Sequence, residues 1–288
     1  MCDDFTAVAD DAALAKRGLN RREFAAISAA TFGAMGVGAT AFAQDGLTEN
    51  MVSVPMPDGT MDAMFVHPSD GAHAAVIMWP DIAGLRPGYM MMARTLAARG
   101  FAVLAVNHYY RSATAPVMES ISEFFSPEGR QRLGPMIQAI TLDGIASDAN
   151  AIVTWLDGQD AVDSSKKIGT EGYCMTGSYA IRTAAAVPER IGAASSFHGG
   201  GLVTDAPTSP HRLFKPSAYY LIAIAKNDYE NAPHEKDELR LAAEQAGAGV
   251  RVELFQGDHG WCAVDSAAHH EIEAKRAREM SVFHYEKL

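Results

Sequence analysis

The sequence predicts an α/β fold in which a mostly parallel central sheet is covered by helices on both faces. Short continuous apolar runs, such as FAVLAV at 101–106, are typical of strands that are buried on both sides. Segments with helical periodicity, such as 143–158, alternate with these runs. Because each helix returns the chain to the same edge of the sheet, this alternation favours parallel strands.

The predicted elements follow one another in a regular order. Two short strands at 51–55 and 61–67 flank the turn signal PDG at 57–59. The later predicted strands are 74–79, 101–106, 167–173, 191–197, 218–225 and 250–255. The predicted helices are 89–99, 143–158, 178–187, 234–247 and a closing helix from 266. The stretch 109–142 is rich in proline and glycine, and we expect a loop with a short helix over the site.

The N-terminus carries an export pattern. Arg21 and Arg22 precede an Ala- and Gly-rich apolar run at 25–42, which ends in the small-x-small pattern AFA at 41–43. The pattern resembles a twin-arginine signal peptide and is too weakly apolar for stable membrane insertion. We therefore expect residues 1–43 to be removed and residues 44–288 to form a single domain in the bacterial periplasm. The alternative is a frayed amphipathic helix.

Charge and cysteine content argue against several classes of partner. The chain has 24 basic and 35 acidic residues, a net charge of −11, and removal of residues 1–43 leaves 20 basic and 30 acidic residues. Such a surface repels nucleic acid and anionic lipid. Of the three cysteines, Cys2, Cys174 and Cys262, none lies in a zinc-binding spacing, so we expect no metal and no organic cofactor. With no apolar stripe for self-association, we expect a monomer.

A candidate nucleophile lies in the segment GYCMTG at 172–177, between a predicted strand and a predicted helix. A nucleophile elbow needs this arrangement, because small neighbours permit the sharp turn that lifts the reactive side chain above the sheet. The start of the helix also favours a thiolate. Cys174 is therefore a candidate nucleophile, the alternative being a small buried core residue.

Two further residues follow predicted strands at the same edge of the sheet. Asp228 comes after the strand at 218–225, and His259 after the strand at 250–255. The order nucleophile, acid, base is that of α/β-hydrolases. In such a triad His259 accepts the thiol proton and Asp228 orients the imidazole. Taken singly, Asp228 could be a turn residue and His259 a surface residue.

From about residue 74 to the last helix, the chain resembles the dienelactone hydrolases. The motifs that carry the resemblance are GYC at 172–174, WPDIAG at 79–84, NHYYR at 107–111, FHGG at 197–200 and HGW at 259–261. It implies an α/β-hydrolase fold and a triad of Cys174, Asp228 and His259. It also implies an oxyanion hole formed by the backbone N–H groups of Ile82 and Met175.

The sequence departs from the family pattern in three places. A glutamate that pairs with the resting thiol is replaced by Asp81, which we expect to keep a weakened thiol-activating role. The alternatives are that Asp81 reaches the cysteine less well or only caps the following turn. Thr176 replaces a commoner glycine and is expected to strain the elbow slightly. The arginine that follows the catalytic histidine and binds a substrate carboxylate is missing. Candidate substrate-binding residues are Arg111, His198 and Trp261, with a structural role as the alternative for His198 and a solvated surface charge as the alternative for Arg111.

These features predict an enzyme that cleaves a small ester or lactone through a Cys174 thioester. Within the same reaction class, the alternative is a general short-chain esterase or thioesterase. A non-catalytic ligand-binding protein, or a thiol redox protein using Cys174 and Cys262, could share the elbow but would not need Asp228 and His259. A reversible disulfide between Cys174 and Cys262, which would silence the enzyme, is a further hypothesis.

Overall fold

The computed structural model describes residues 46–288, so the predicted signal peptide at 1–43 lies outside the described residues. Within them, one sheet has eight strands in the order β1-β2-β4-β3-β5-β6-β7-β8. The strands are β1 Leu47–Met56, β2 Gly59–Pro68, β3 Ala75–Trp79, β4 Ala102–Val106, β5 Ile168–Tyr173, β6 Ile191–Phe197, β7 Tyr219–Ile224 and β8 Gly249–Leu254. Strands β1 and β2 form an antiparallel hairpin, β2 pairs antiparallel with β4, and the remaining pairs are parallel. The predicted sheet of mostly parallel strands is confirmed.

Helices cover both faces of the sheet. They are α1 Pro87–Ala97, α2 Pro127–Gln138, α3 Leu142–Asp157, α4 Gly177–Ala186, α5 Lys226–Asn231, α6 Glu235–Gln245 and α7 Glu271–Tyr285. Helices α3, α4 and α6 share one apolar cluster with the sheet, and α1 and α7 share another on the opposite face. In β3, Ile77 points into the first cluster and Val76 and Met78 into the second, as the alternation of a strand buried on both faces requires.

Two helices differ from the sequence prediction. The closing helix begins at Glu271 rather than near Ser266, because the His270 side chain caps it by accepting from the backbone N–H of Glu273. Helix α5 is not among the predicted helices, and it carries Asp228 in its first turn. Both differences lie beside the predicted site.

The connection between β4 and α3, residues 107–141, forms a cap with its own small apolar cluster. The cap contains a 3₁₀ helix, Ile121–Phe125, and then α2. Ser126 caps α2 by accepting from the N–H of Gly129, and Pro127 occupies the first helical turn, where its missing N–H costs nothing. Buried members of the cap cluster are Ala83, Tyr109, Val117, Met118, Ile121 and Leu133. The cap is therefore a structured element with its own core.

None of the helices between residues 46 and 288 has the length and apolar character needed to cross a membrane.

Candidate active site

The nucleophile elbow has the backbone conformation that the sequence predicts. Cys174 follows β5 directly and has a φ of +55°, in the left-handed region that few non-glycine residues adopt. A 3₁₀ helix, Cys174–Thr176, leads into α4. Gly172 is required here, because a side chain would collide with the carbonyl oxygen of Thr176. The turn leaves the Cys174 side chain partly exposed at the end of the central strand.

Thr176 closes the elbow rather than straining it. The backbone N–H of Tyr173 donates to the Thr176 hydroxyl at 2.9 Å. That hydroxyl in turn donates to the carbonyl oxygen of Trp79 at 2.7 Å and lies 3.0 Å from the carbonyl oxygen of Tyr173. Because Trp79 ends β3, a side-chain hydroxyl joins the ends of two neighbouring strands. The expected cost of replacing glycine is thus offset by hydrogen bonds that glycine could not make.

The structure brings Cys174, His259 and Asp228 together at this edge of the sheet. Nδ1 of His259 lies 2.7 Å from Oδ2 of Asp228, and the same imidazole makes a hydrogen bond with the Cys174 side chain. The backbone N–H of His259 donates to Oδ1 of Asn227 at 2.8 Å, which fixes the loop that carries the imidazole. The three side chains therefore stand in the order acid, base, nucleophile that triad chemistry needs.

The imidazole of His259 is held in its protonated form. Burial lowers its pKa, but the hydrogen bonds and charges of Asp228 and Cys174 outweigh burial and raise the pKa to about 11. A protonated imidazole next to the Cys174 side chain can donate its proton to a leaving group.

His198 contacts the backbone of the nucleophile. Its side chain is buried, and its Nδ1 accepts a hydrogen bond from the backbone N–H of Cys174 at 3.2 Å. Two residues on, the N–H of Gly200 donates to the carbonyl oxygen of Cys174 at 3.2 Å. The segment after β6 thus binds both backbone polar groups of Cys174. We expected His198 to be a substrate-binding candidate or structural; its burial and this bond support the structural role.

Ile82 and Met175 lie where an oxyanion hole is expected. Ile82 is in the loop after β3, and Met175 directly follows the nucleophile. Both side chains are half-buried and pack against the cap cluster. The Tyr109 hydroxyl, which the sequence did not single out, donates to the carbonyl oxygen of Ile82 at 2.8 Å and so orients this loop. That their N–H groups bind an oxyanion stays a prediction.

The carboxylate of Asp81 pairs with an arginine, not with the thiol as expected. Arg86 donates to both of its oxygens, at 2.6 and 2.9 Å, and the N–H of Ala83 donates to one of them. The same guanidinium binds Asp265 through two further bonds of 2.6 and 2.9 Å. A buried carboxylate gains more from a two-pronged guanidinium than from a thiol, which explains the correction.

This buried ion triad links the loop after β3 to the segment after His259, because Asp81 lies in the former and Asp265 in the latter. Gly88 leaves the space that the Asp265 carboxylate occupies. Sequence analysis missed both Arg86 and Asp265. The one sequence signal for Arg86 is its position directly before Pro87, where a charged residue precedes an otherwise apolar helix start.

Two substrate-binding candidates have other roles. Arg111 donates to both oxygens of Asp148, at 2.7 and 2.8 Å, and to Asp58. Its charge is therefore already paired. Trp261 is fully buried, and its ring stacks on Phe255 with centroids 4.6 Å apart. The ion pairs and the burial do not support a role in substrate binding, which for both residues stays a prediction.

A cavity of about 130 Å³ lies between the sheet and α7. Its walls include Glu171, Tyr173, Cys262 and Arg278, but neither Cys174 nor His259. Cys262 is buried here as a free thiol, and burial raises its pKa well above the ordinary value. Cys174 is also a free thiol. A buried thiol with a raised pKa is unreactive, so the disulfide hypothesis gains no support.

Metal-binding geometry is not found in the part of the chain that the structure describes. Within residues 46–288, no three His, Cys, Asp or Glu side chains are grouped so that they could hold a metal ion.

The sheet order, the elbow and the order of the three side chains define an α/β-hydrolase. The chain belongs to the dienelactone hydrolase family, whose model matches residues 61–285.

Individual relatives are more distant. A Methylorubrum extorquens protein, provisionally named a carboxymethylenebutenolidase, is 26% identical over 166 residues. The match covers 55% of this chain and 54% of that protein, so the chain aligns with about half the length of its curated relative.

Solved structures share the fold over most of the chain. A protein from Klebsiella pneumoniae subsp. pneumoniae MGH 78578, provisionally named a dienelactone hydrolase, has a TM-score of 0.72 and 19% identity, covering 85% of this chain and 100% of its own. The dienelactone hydrolase-like promiscuous phosphotriesterase P91, from metagenomic libraries, has a TM-score of 0.68 and 17% identity, covering 84% of this chain and 99% of its own. At these identities the likeness shows the fold alone.

Proposed function

We propose that this protein hydrolyses a small ester or lactone through a thioester on Cys174. The observation that carries the proposal is the His259 imidazole, which contacts the Asp228 carboxylate on one side and the Cys174 side chain on the other. This arrangement supplies a nucleophile, a proton carrier and an orienting group. Ligand binding alone would not need such an arrangement.

The proposed reaction has two halves. The Cys174 sulfur attacks the ester carbonyl, and the tetrahedral oxyanion is bound by the N–H groups of Ile82 and Met175. The alkoxide leaves with a proton from His259, which yields the thioester. Water then gives a proton to His259 and attacks the thioester, and the thiol departs with the release of the acid. Asp228 keeps the imidazole oriented throughout.

The experiment is hydrolysis of p-nitrophenyl acetate, simple lactones and a dienelactone by the full chain under reducing conditions. We expect turnover by the wild type, none by Cys174→Ala, and a wild-type rate for Cys262→Ala, which removes the other described thiol. Mass spectrometry after rapid acid quench should detect an acyl group on the peptide that contains Cys174. Full activity in Cys174→Ala would refute the proposal, as would a folded wild type with a free thiol that hydrolyses nothing.

We also propose that the protein acts as a periplasmic monomer after export. The support is the sequence pattern of Arg21 and Arg22 followed by an apolar run and AFA at 41–43, all outside the described residues. In a bacterium with twin-arginine transport, the chain should appear in the periplasm with a new N-terminus at Gln44. Replacing both arginines by lysine should leave it in the cytoplasm; unchanged export would contradict the proposal.

A further inference from the structure

The cap cluster reaches the two residues assigned to the oxyanion hole. Ile82 and Met175 both pack against it as half-buried members. The cap is fastened there by the hydrogen bond from the Tyr109 hydroxyl to the Ile82 carbonyl oxygen, and it leaves little space beside Gly84, where an added Cβ would lie 3.0 Å from Val117. A carbonyl group bound between the N–H groups of Ile82 and Met175 therefore lies next to the cap.

Helix α2 presents an apolar face to this cluster. Leu133 is fully buried, while Met136 and Ile137 follow on the same helical face and are only half-buried, as is Ile140 just beyond the helix end. Half-buried apolar side chains that share a cluster with Ile82 and Met175 leave surface that an apolar group can cover. The side chains that the cap presents next to Ile82 and Met175 are therefore apolar.

Charges around the site do not favour an anionic substrate. Each arginine of the cap already has a partner: Arg111 binds Asp148, Arg132 binds Glu123, and Arg130 donates to the carbonyl oxygen of Phe125. The ion triad sets the carboxylates of Asp81 and Asp265 against the single guanidinium of Arg86, which leaves one negative charge. A substrate carboxylate held beside this triad would meet its excess negative charge.

From these contacts we infer that the preferred substrates carry an uncharged, apolar acyl group that packs against Met136 and Ile137 of α2 and against Ile140, which follows the helix. The inference rests on the proposed function, since it names the substrate class of the same site. The cap then recognises the acyl group by apolar contact, without an arginine.

The test compares p-nitrophenyl esters that share one leaving group. The acyl groups are acetyl, butanoyl, pentanoyl and the anionic hemiglutarate, whose acyl chain is that of pentanoyl with a terminal carboxylate. Burial of each added methylene is worth about a fourfold gain in kcat/KM, so butanoate should exceed acetate on the order of tenfold. Pentanoate should exceed hemiglutarate by at least about tenfold, because the carboxylate finds no partner.

A matched pair of variants assigns this preference to α2. Ile137→Ala should reduce kcat/KM for butanoate and pentanoate several-fold more than for acetate. Ile272→Ala makes the same truncation on α7, where the side chain is 73% exposed, and should leave the series unchanged. Denaturant unfolding of both variants identifies any loss that comes from instability.

The outcomes separate the two proposals. Hemiglutarate hydrolysed as fast as pentanoate, or an Ile137→Ala series parallel to the wild type, would overturn the inference while ester hydrolysis through Cys174 still stands. A wild type with a free Cys174 thiol that hydrolyses none of the four esters would overturn the proposed function and, with it, the inference.

Discussion

The backbone N–H of Cys174 donates a hydrogen bond to Nδ1 of His198 across 3.2 Å. Because Nδ1 is the acceptor, a neutral His198 ring carries its proton on Nε2. Burial lowers the pKa of His198 well below the ordinary value of 6.5, and the charge of the neighbouring His259 lowers it further. His198 therefore stays neutral and keeps an acceptor for the backbone N–H of Cys174. That hydrogen bond helps to hold Cys174 in its left-handed backbone conformation.

Two substitutions of His198 separate the acceptor from the shape of the ring. His198→Asn keeps an oxygen near the place of Nδ1, whereas His198→Leu has none. We expect the leucine variant to lose about tenfold in kcat/KM, the effect of one lost hydrogen bond, and the asparagine variant to stay within a few-fold of the wild type. The rate of Cys174 alkylation by iodoacetamide should follow the same order. Equal losses in both variants would contradict the role of the acceptor.

Removal of the Asp228 carboxylate should change the titration of His259. In the wild type the imidazole keeps its proton up to a pH near 11, although burial opposes this. Asp228→Asn removes a negative charge that raises the pKa of His259, while burial still lowers it. We therefore expect this pKa to fall substantially and activity to drop at least about a hundredfold. NMR of the imidazole nitrogens measures the pKa. Asp258→Asn, an exposed neighbour of His259, is the control and should leave both quantities unchanged.

The same shift predicts a stability difference with a definite sign. The stabilisation from a raised histidine pKa is complete below the ordinary value of 6.5 and is lost as the pH rises through about 11. The advantage of the wild type over Asp228→Asn in unfolding free energy should therefore shrink between these limits. An advantage that grows with pH would show that the proton is not bound as described.

Loss of Arg86 should be costly because two carboxylates depend on it. Its side chain is fully buried, and Asp81 and Asp265 are nearly so. We expect Arg86→Met to lose about 3–5 kcal/mol of unfolding free energy, because it strands two buried charges. Arg99→Met breaks an exposed ion pair with Glu279 and should cost about 1 kcal/mol or less. Denaturant unfolding compares the two, and similar costs would argue against the buried triad as a support of the loop.

Glu171 makes the stability of the fold depend on pH near neutrality. Burial raises its pKa to about 7, against the hydrogen bonds that its carboxylate accepts from Tyr173 and Tyr285. The stability that a bound proton contributes is present below the ordinary value of 4.5 and is lost as the pH rises through about 7. Glu171→Gln cannot ionise.

We therefore expect the unfolding free energy of Glu171→Gln, relative to the wild type, to increase between pH 5 and pH 8. Glu244→Gln, an exposed substitution on α6, should show no such trend. Chemical denaturation at both pH values is the measurement. A Glu171→Gln difference that is the same at pH 5 and pH 8 would mean that Glu171 titrates as an ordinary surface carboxyl.

Apolar periodicity predicted the sheet well because burial on two faces leaves a strong pattern. The run at 101–106 became β4, Ala102–Val106, and the helix predicted at 143–158 became α3, Leu142–Asp157. Helix α5, Lys226–Asn231, could not be found this way, because it is short, polar and contains no buried residue. Its formation depends on its place between β7 and the histidine loop rather than on its own pattern.

The three triad candidates could be predicted from their order along the chain and from the strands that they follow. Cys174, Asp228 and His259 each follow a strand at the same edge of the sheet, and the structure brings them together. The ion pairs of Asp81 with Arg86 and of Arg111 with Asp148 could not be predicted, because they depend on residues that only the fold brings near. Their sequence surroundings contain no sign of these partners.

The separate core of the cap has a consequence for how such enzymes diversify. The apolar side chains that residues 107–141 give to the cap cluster pack with Ile82 and Met175, whereas the strands that precede Cys174, Asp228 and His259 belong to two other clusters. Exchange of this one connection between relatives should therefore transfer a preference for an acyl group while the reaction itself is inherited unchanged. Replacement of this one segment, with the sheet left unchanged, would be enough to give the scaffold a new substrate.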